Sequence, residues 1–143
     1  MRAARVLSAG AISLLALSSG CGGGERTFTA EEFVEEANRN GTSLELGRPL
    51  PAVGEDQIYA VRLDEPGPER GMGPATGETE EQGGGSLRLT GSAASAEEGH
   101  ARCERAASLI CFRAANVVLI FEPGVEPAEL TRLADAIRAM ESR

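Results

Sequence analysis

The chain has 143 residues, 41% of them hydrophobic but only 3% aromatic, and its 22 acidic side chains outnumber 14 basic ones for a net charge of −8. That length limits it to one domain with appendages, and a core without tryptophan must be built mainly from Leu, Val, Ile and Ala. The acidic balance argues against binding nucleic acid or anionic lipid, and the absence of lysine rules out a GxxxxGK[ST] phosphate loop, Gly83-Gly84-Gly85-Ser86 included.

At the start, Arg2 and Arg5 precede the apolar run Val6 to Leu17. As a helix, those twelve residues reach only ~18 Å, against ~30 Å of bilayer hydrocarbon, too short for a good permanent span. A positive start, a short apolar middle and small residues after it are the pattern of a secretory signal over residues 1–20. Two cuts compete. Ala16 and Ser18 suit the ordinary signal peptidase, which would leave Ser19 as the first residue. Leu17-Ser18-Ser19-Gly20-Cys21 resembles the bacterial lipobox, with Leu17 one place earlier than the usual aliphatic position. The lipobox resemblance implies a diacylglyceryl thioether on Cys21, which becomes residue one, and a Gly-rich tether over residues 21–27 reaching at most ~25 Å. Loss of residues 1–20 removes two arginines and no acid, taking the charge from −8 to −10.

Phe28-Thr29-Ala30-Glu31-Glu32-Phe33 predicts a helix start: Thr29 as N-cap, Glu32 completing a capping box, and Phe28 stapling onto Phe33. Phe33, Val34 and Ala37 form its apolar stripe, the glutamates at 31, 32, 35 and 36 a solvated face, and Asn40-Gly41 its stop. Asn40-Gly41-Thr42 also matches a glycosylation sequon. Residues 43–46 suit a short strand, followed by a turn punctuated by Pro49 and Pro51. Residues 57–64 alternate as a strand with Tyr59, Val61 and Leu63 on one face. Residues 65–85 hold almost nothing to bury and are expected to form a disordered insert.

A strand is expected over 86–90. Next, Ser95 and Glu98 offer a second capping box, opening an Ala-rich helix to about Ala107. Strands at 109–113 and 117–122 flank Ala114-Ala115-Asn116. Val117-Val118-Leu119-Ile120-Phe121, apolar on both faces, is expected at the centre of the sheet. Pro127 opens a last helix with Leu130, Leu133, Ile137 and Met140 on its buried stripe. The pattern predicts one α+β domain over 28–143: three helices and a small antiparallel sheet of four or five strands, in the order α-β-β-insert-β-α-β-β-α. The helices are expected to cover one face of that sheet.

With Cys21 assigned to lipid, Cys103 and Cys111 remain as an even pair in an oxidising compartment, which predicts a disulfide. One continuous helix would hold their Cα atoms ~12 Å apart, beyond the ~7 Å a bridge allows. The chain must therefore break near Ser108, placing a helix that carries Cys103 beside a strand that carries Cys111. Closing so short a loop is worth roughly 2–3 kcal/mol. The alternatives are two free thiols, or a metal site made by His100, Cys103 and Cys111, although His100 is the one histidine and the CxxC pairing of structural zinc is absent.

The whole pattern resembles the small uncharacterised lipoproteins of high-G+C Gram-positive bacteria, a kinship suggested also by the use of arginine for every basic residue. It implies a location on the extracytoplasmic face of the cell membrane and carries no activity with it. No nucleophile elbow, CxxC redox couple or nominated carboxylate pair suggests an enzyme, and no cofactor is expected. The expectation is a non-catalytic binding or accessory domain of the cell envelope, with an envelope protein as its possible partner. The alternatives are a small-molecule or cation-binding lipoprotein serving a transporter, and an envelope enzyme whose site is assembled from residues distant in sequence.

Overall fold

The computed structural model describes residues 25–63 and 84–143. Helix α1 (Ala30–Arg39) starts where its local chemistry dictates. Thr29 Oγ1 accepts from Glu32 N at 3.2 Å, and Glu32 Oε2 accepts from Thr29 N at 2.9 Å. The Phe28 and Phe33 rings meet edge to face with centroids 5.7 Å apart, forming the expected staple. Asn40 closes the helix, and its Nδ2 donates to Glu36 O at 2.8 Å.

Five strands follow: β1 (Leu44–Val53), β2 (Asp56–Leu63), β3 (Gly84–Leu89), β4 (Ile110–Ala114) and β5 (Val117–Phe121). They form one antiparallel sheet in the order β1-β2-β3-β5-β4. Helix α2 (Ala93–Glu104) lies between β3 and β4 in the chain, and α3 (Pro127–Glu141) ends the fold. The class and element order are those predicted.

Several details differ from the sequence expectation. The first strand does not stop at Leu46; β1 runs through Pro49 and Pro51 to Val53. It can do so because it is an edge strand, where a missing N–H costs no ladder bond, and its register shifts after Leu46 and Leu50 absorb the irregularity. Gly84 and Gly85, assigned to the insert, are the first residues of β3; the rest of that proposed insert, like residues 1–24, lies outside the described residues. The N-cap of helix α2 is Ser92, three residues before Ser95, because Ser92 Oγ accepts from Ser95 N at 3.1 Å. It stops at Glu104, short of Ala107. Strand β5 is interior, but the middle position belongs to β3.

The helices also divide between the two faces instead of covering one. Pleat alternation sets the faces. Val117, Leu119 and Phe121 of β5 join Leu87, Val61, Leu63 and Leu44 in the main core with Phe33 and Ala37 of α1 and Leu133, Ile137 and Met140 of α3. Full burial of each large member contributes roughly 1.5–3 kcal/mol. Val118 points to the opposite face, where α2 lies: a Cβ built on Gly99 would sit 3.4 Å from Val118 Cγ2. The reason is in the α2 sequence, whose buried side chains are only Ala96 and Cys103. A helix this thin makes a close layer over β4 and β5, and among the described residues no helix covers the same face of β2 and β3.

The register fixes two ends of the molecule. At one end lie the β1–β2 turn after Val53, Leu89, and the Ala115–Asn116 turn, since Gln57 pairs with Leu89 and Leu89 with Val117. At the other end lie Leu63, Gly84, Ile110 and Phe121.

Candidate functional site

The predicted cysteine pair is joined. Cys103 on α2 and Cys111 on β4 are bridged with their Cα atoms 6.1 Å apart. The chain breaks between them as required: α2 ends at Glu104, and Ala106 N and Leu109 N donate to Cys103 O and Ala106 O at 2.9 and 3.0 Å. The bond fastens α2, which has little apolar surface to bury, to an edge strand. His100 is one turn before Cys103, with its Nδ1 3.7 Å from Glu104 Oε2. Both sulfurs are spent on each other, and among the described residues no group of three His, Cys, Asp or Glu side chains converges to hold a metal. Cys21 lies outside the described residues.

Beside α2, the helix-free half of that sheet face carries Ile58, Ala60 and Arg62 from β2 and Ser86 and Arg88 from β3, all half-buried. Arg88 Nε and Nη2 donate to Asp56 Oδ2 at 2.7 and 2.6 Å, an ion pair whose two side chains are both about one-fifth exposed. This surface mixes apolar groups with paired charges, is not covered by a helix among the described residues, and was not foreseen from sequence. An arginine in a strand reads as solvent-facing; that Arg88 meets Asp56 depends on the β2–β3 register.

A second feature the sequence concealed is Glu129. It sits in the first turn of α3, where a carboxylate favours the helix dipole, and first-turn acids are usually exposed. Glu129 is instead buried, with 1% of its surface accessible. Its Oε1 pairs with Arg132 Nη1, while Oε2 has no hydrogen-bond partner among the described residues. A half-satisfied buried carboxylate is destabilising, and its Arg132 partner is exposed enough to be solvated alone. Glu129→Met is therefore expected to stabilise the domain by about 1 kcal/mol, read as an increase in the urea midpoint at unchanged slope. A loss of stability would show that the Glu129–Arg132 pair is net favourable.

The N-terminal segment is built into the domain. Asn116, 5% exposed in the β4–β5 turn, accepts from Phe28 N through Oδ1 at 2.7 Å and donates from Nδ2 to Phe28 O and Thr90 O at 3.1 and 3.3 Å. Arg26 stacks 4.4 Å from the Phe28 ring centroid, pairs with Glu36 and donates to Met140 O. The Glu25 carboxylate accepts from Ala93 N at the start of α2. Glu25 and Arg26, expected to belong to a tether, are thus in contact with the folded part. Comparison of the chain with family models, curated proteins and solved structures finds no match.

Proposed function

We propose that the protein is a lipid-anchored domain on the extracytoplasmic face of the cell membrane, serving as a non-catalytic binding or accessory module of the cell envelope. The observation that carries this is the division of the cysteines. Of three in the chain, Cys103 and Cys111 are bonded to each other, as suits an oxidising compartment, and Cys21 stands apart at the end of a signal-like segment. A two- or three-chain lipid on Cys21 would make attachment durable, where a single chain gives only reversible binding. The helix-free half of the sheet, mixing Ile58 and Ala60 with the Asp56–Arg88 pair, suits a polar protein surface as partner.

Intact-mass measurement of the mature chain from the membrane fraction tests the anchor. The expected result is a first residue at position 21 bearing a diacylglyceryl group, lost together with membrane retention in Cys21→Ala. A mature chain beginning at Ser19 with an unmodified thiol overturns it. Crosslinking in intact cells tests the binding role, with a specific envelope protein as the expected product; recovery of no protein above background counts against it.

A further inference from the structure

We infer that the domain is oriented on the membrane, with the end that carries the β1–β2 and β4–β5 turns and the start of α2 facing the lipid. The inference rests on the lipid-anchored reading above and deepens it. The occupant of this end is the bilayer surface, because Glu25, the first described residue after the position that would bear the lipid, lies at this end.

The attachment begins with Asn116, which holds Phe28 by both its N–H and its carbonyl at the β4–β5 turn. Three residues earlier, Glu25 meets the backbone N–H of Ala93, the first residue of α2. Thr90 Oγ1 closes the same corner, donating within reach of Ser92 O at 2.7 Å and Asn116 O at 3.0 Å. The chain is therefore fixed to this corner as far back as Glu25. From Glu25 to Cys21 is four residue steps, a reach of at most about 14 Å even when fully extended. Strand β3 alone has six residues, so the two ends of the sheet are about 17 Å apart or more. A linkage shorter than the domain cannot leave either end free to face the lipid; it brings the pinned end toward the bilayer.

A second observation points the same way. Val53 is 58% exposed, the one large hydrophobic side chain so exposed among the described residues, and it lies in the β1–β2 turn region at this end. Pro51, Ala52 and Gly54 beside it are exposed as well. A small apolar tip next to the lipid headgroups needs no other cover. The acidic chain supplies no general attraction to anionic lipid, so the orientation follows from the linkage and should persist on zwitterionic vesicles and at high salt. At the far end lie Leu63 and Gly84, between which residues 64–83 run, and the start of α3. That end faces away from the membrane, toward envelope partners.

The test uses the full lipidated protein, purified from a bacterial membrane and reconstituted into phosphatidylcholine vesicles containing headgroup nitroxide lipid. Single cysteines are introduced at exposed positions and labelled with a fluorophore, with the native disulfide kept oxidised: Ala94→Cys and Val53→Cys at the pinned end, Glu126→Cys at the other. The expected result is quenching stronger at positions 94 and 53 than at 126, on the order of threefold, for a difference of this length. Equal quenching at all three, or stronger quenching at 126, overturns the orientation while intact mass still reports lipid on Cys21. A mass showing no lipid on Cys21 overturns the anchor itself, and the orientation with it.

Discussion

Gly85→Ala is expected to destabilise the domain by about 3 kcal/mol, with a melting temperature lower by roughly 12–20 °C in a unit of this size. The effect comes from one missing carbon. Gly85 pairs with Phe121 across the β3–β5 ladder, and the Phe121 ring lies against it. A Cβ built at position 85 falls 2.5 Å from Ile120 O and 2.5 Å from Phe121 Cδ1. The ring could rotate only into a core where Phe121 is fully buried beside Leu119 and Phe112, and the carbonyl is backbone of the neighbouring strand. Either the ring leaves its rotamer or the two strands separate, and both lose packing. Gly85→Val should be worse still. Phe121→Leu in the Gly85→Ala background is expected to recover part of the loss, because it removes the ring atoms while leaving the carbonyl clash. Urea denaturation of the four proteins of that cycle measures the coupling. Additive losses, or a Gly85→Ala melting temperature within about 2 °C of the parent, would refute the account.

The same residue shows where sequence reasoning reached its limit. Helix α1 was legible because its start is local: Thr29, Glu32, Phe28 and Phe33 lie within six residues, and each choice supports the same cap. The disulfide was legible for a different reason, since the expectation of export paired the two cysteines and the reach of a bridge required a break that the chain does make between α2 and β4. Gly85 reads as loop in a Gly-rich context, and only Phe121, far along the chain, turns it into a strand residue that must lack a side chain. Pro49 and Pro51 read as turn because nothing local says that their strand lies at an edge. The face chosen by α2 was hidden for a related reason: Ala96, Gly99 and Cys103 form too weak a stripe to name a partner, and Val118 supplies it from another strand. Glu129 drew no notice in the sequence for a sound local reason, because first-turn acids favour exposure until tertiary packing encloses one. Local chemistry set element starts, and the sheet register set what those elements touch.

Asn116→Ala is expected to cost about 3–5 kcal/mol, more than a turn substitution normally does, because its carboxamide is a buried joint between two parts of the chain. Truncation leaves Phe28 N–H and the carbonyls of Phe28 and Thr90 without the partner they now have. The backbone bond from Thr90 N to Asn116 O, 2.9 Å, survives, so the β4–β5 turn should persist while the N-terminal segment loosens. Hydrogen exchange is expected to accelerate first at residues 25–29, before the sheet amides. Asn116→Asp separates hydrogen bonding from packing, since it keeps the shape and the acceptor toward Phe28 N. It replaces the two donated bonds by oxygens facing the carbonyls of Phe28 and Thr90. Burial beside those carbonyls disfavours the carboxylate, so the folded pKa of the introduced Asp lies above its unfolded value. The ionisation penalty is absent below an unfolded pKa of about 4 and grows as pH rises above it. Asn116→Asp should therefore be most deficient near neutral pH and recover toward the parent on mild acidification, whereas Asn116→Ala should show no such recovery. Parallel pH dependence in the two variants would reduce Asn116 to a packing residue. On the proposed lipid-anchored reading the same variants carry a spatial consequence: they remove one of the holds on the N-terminal segment, leaving those of Glu25 on Ala93 N and of Arg26 on Glu36. On the proposed anchored and oriented reading, that loosening should shrink the quenching contrast between positions 94 and 126 in Asn116→Ala, with the mass of the lipidated chain unchanged.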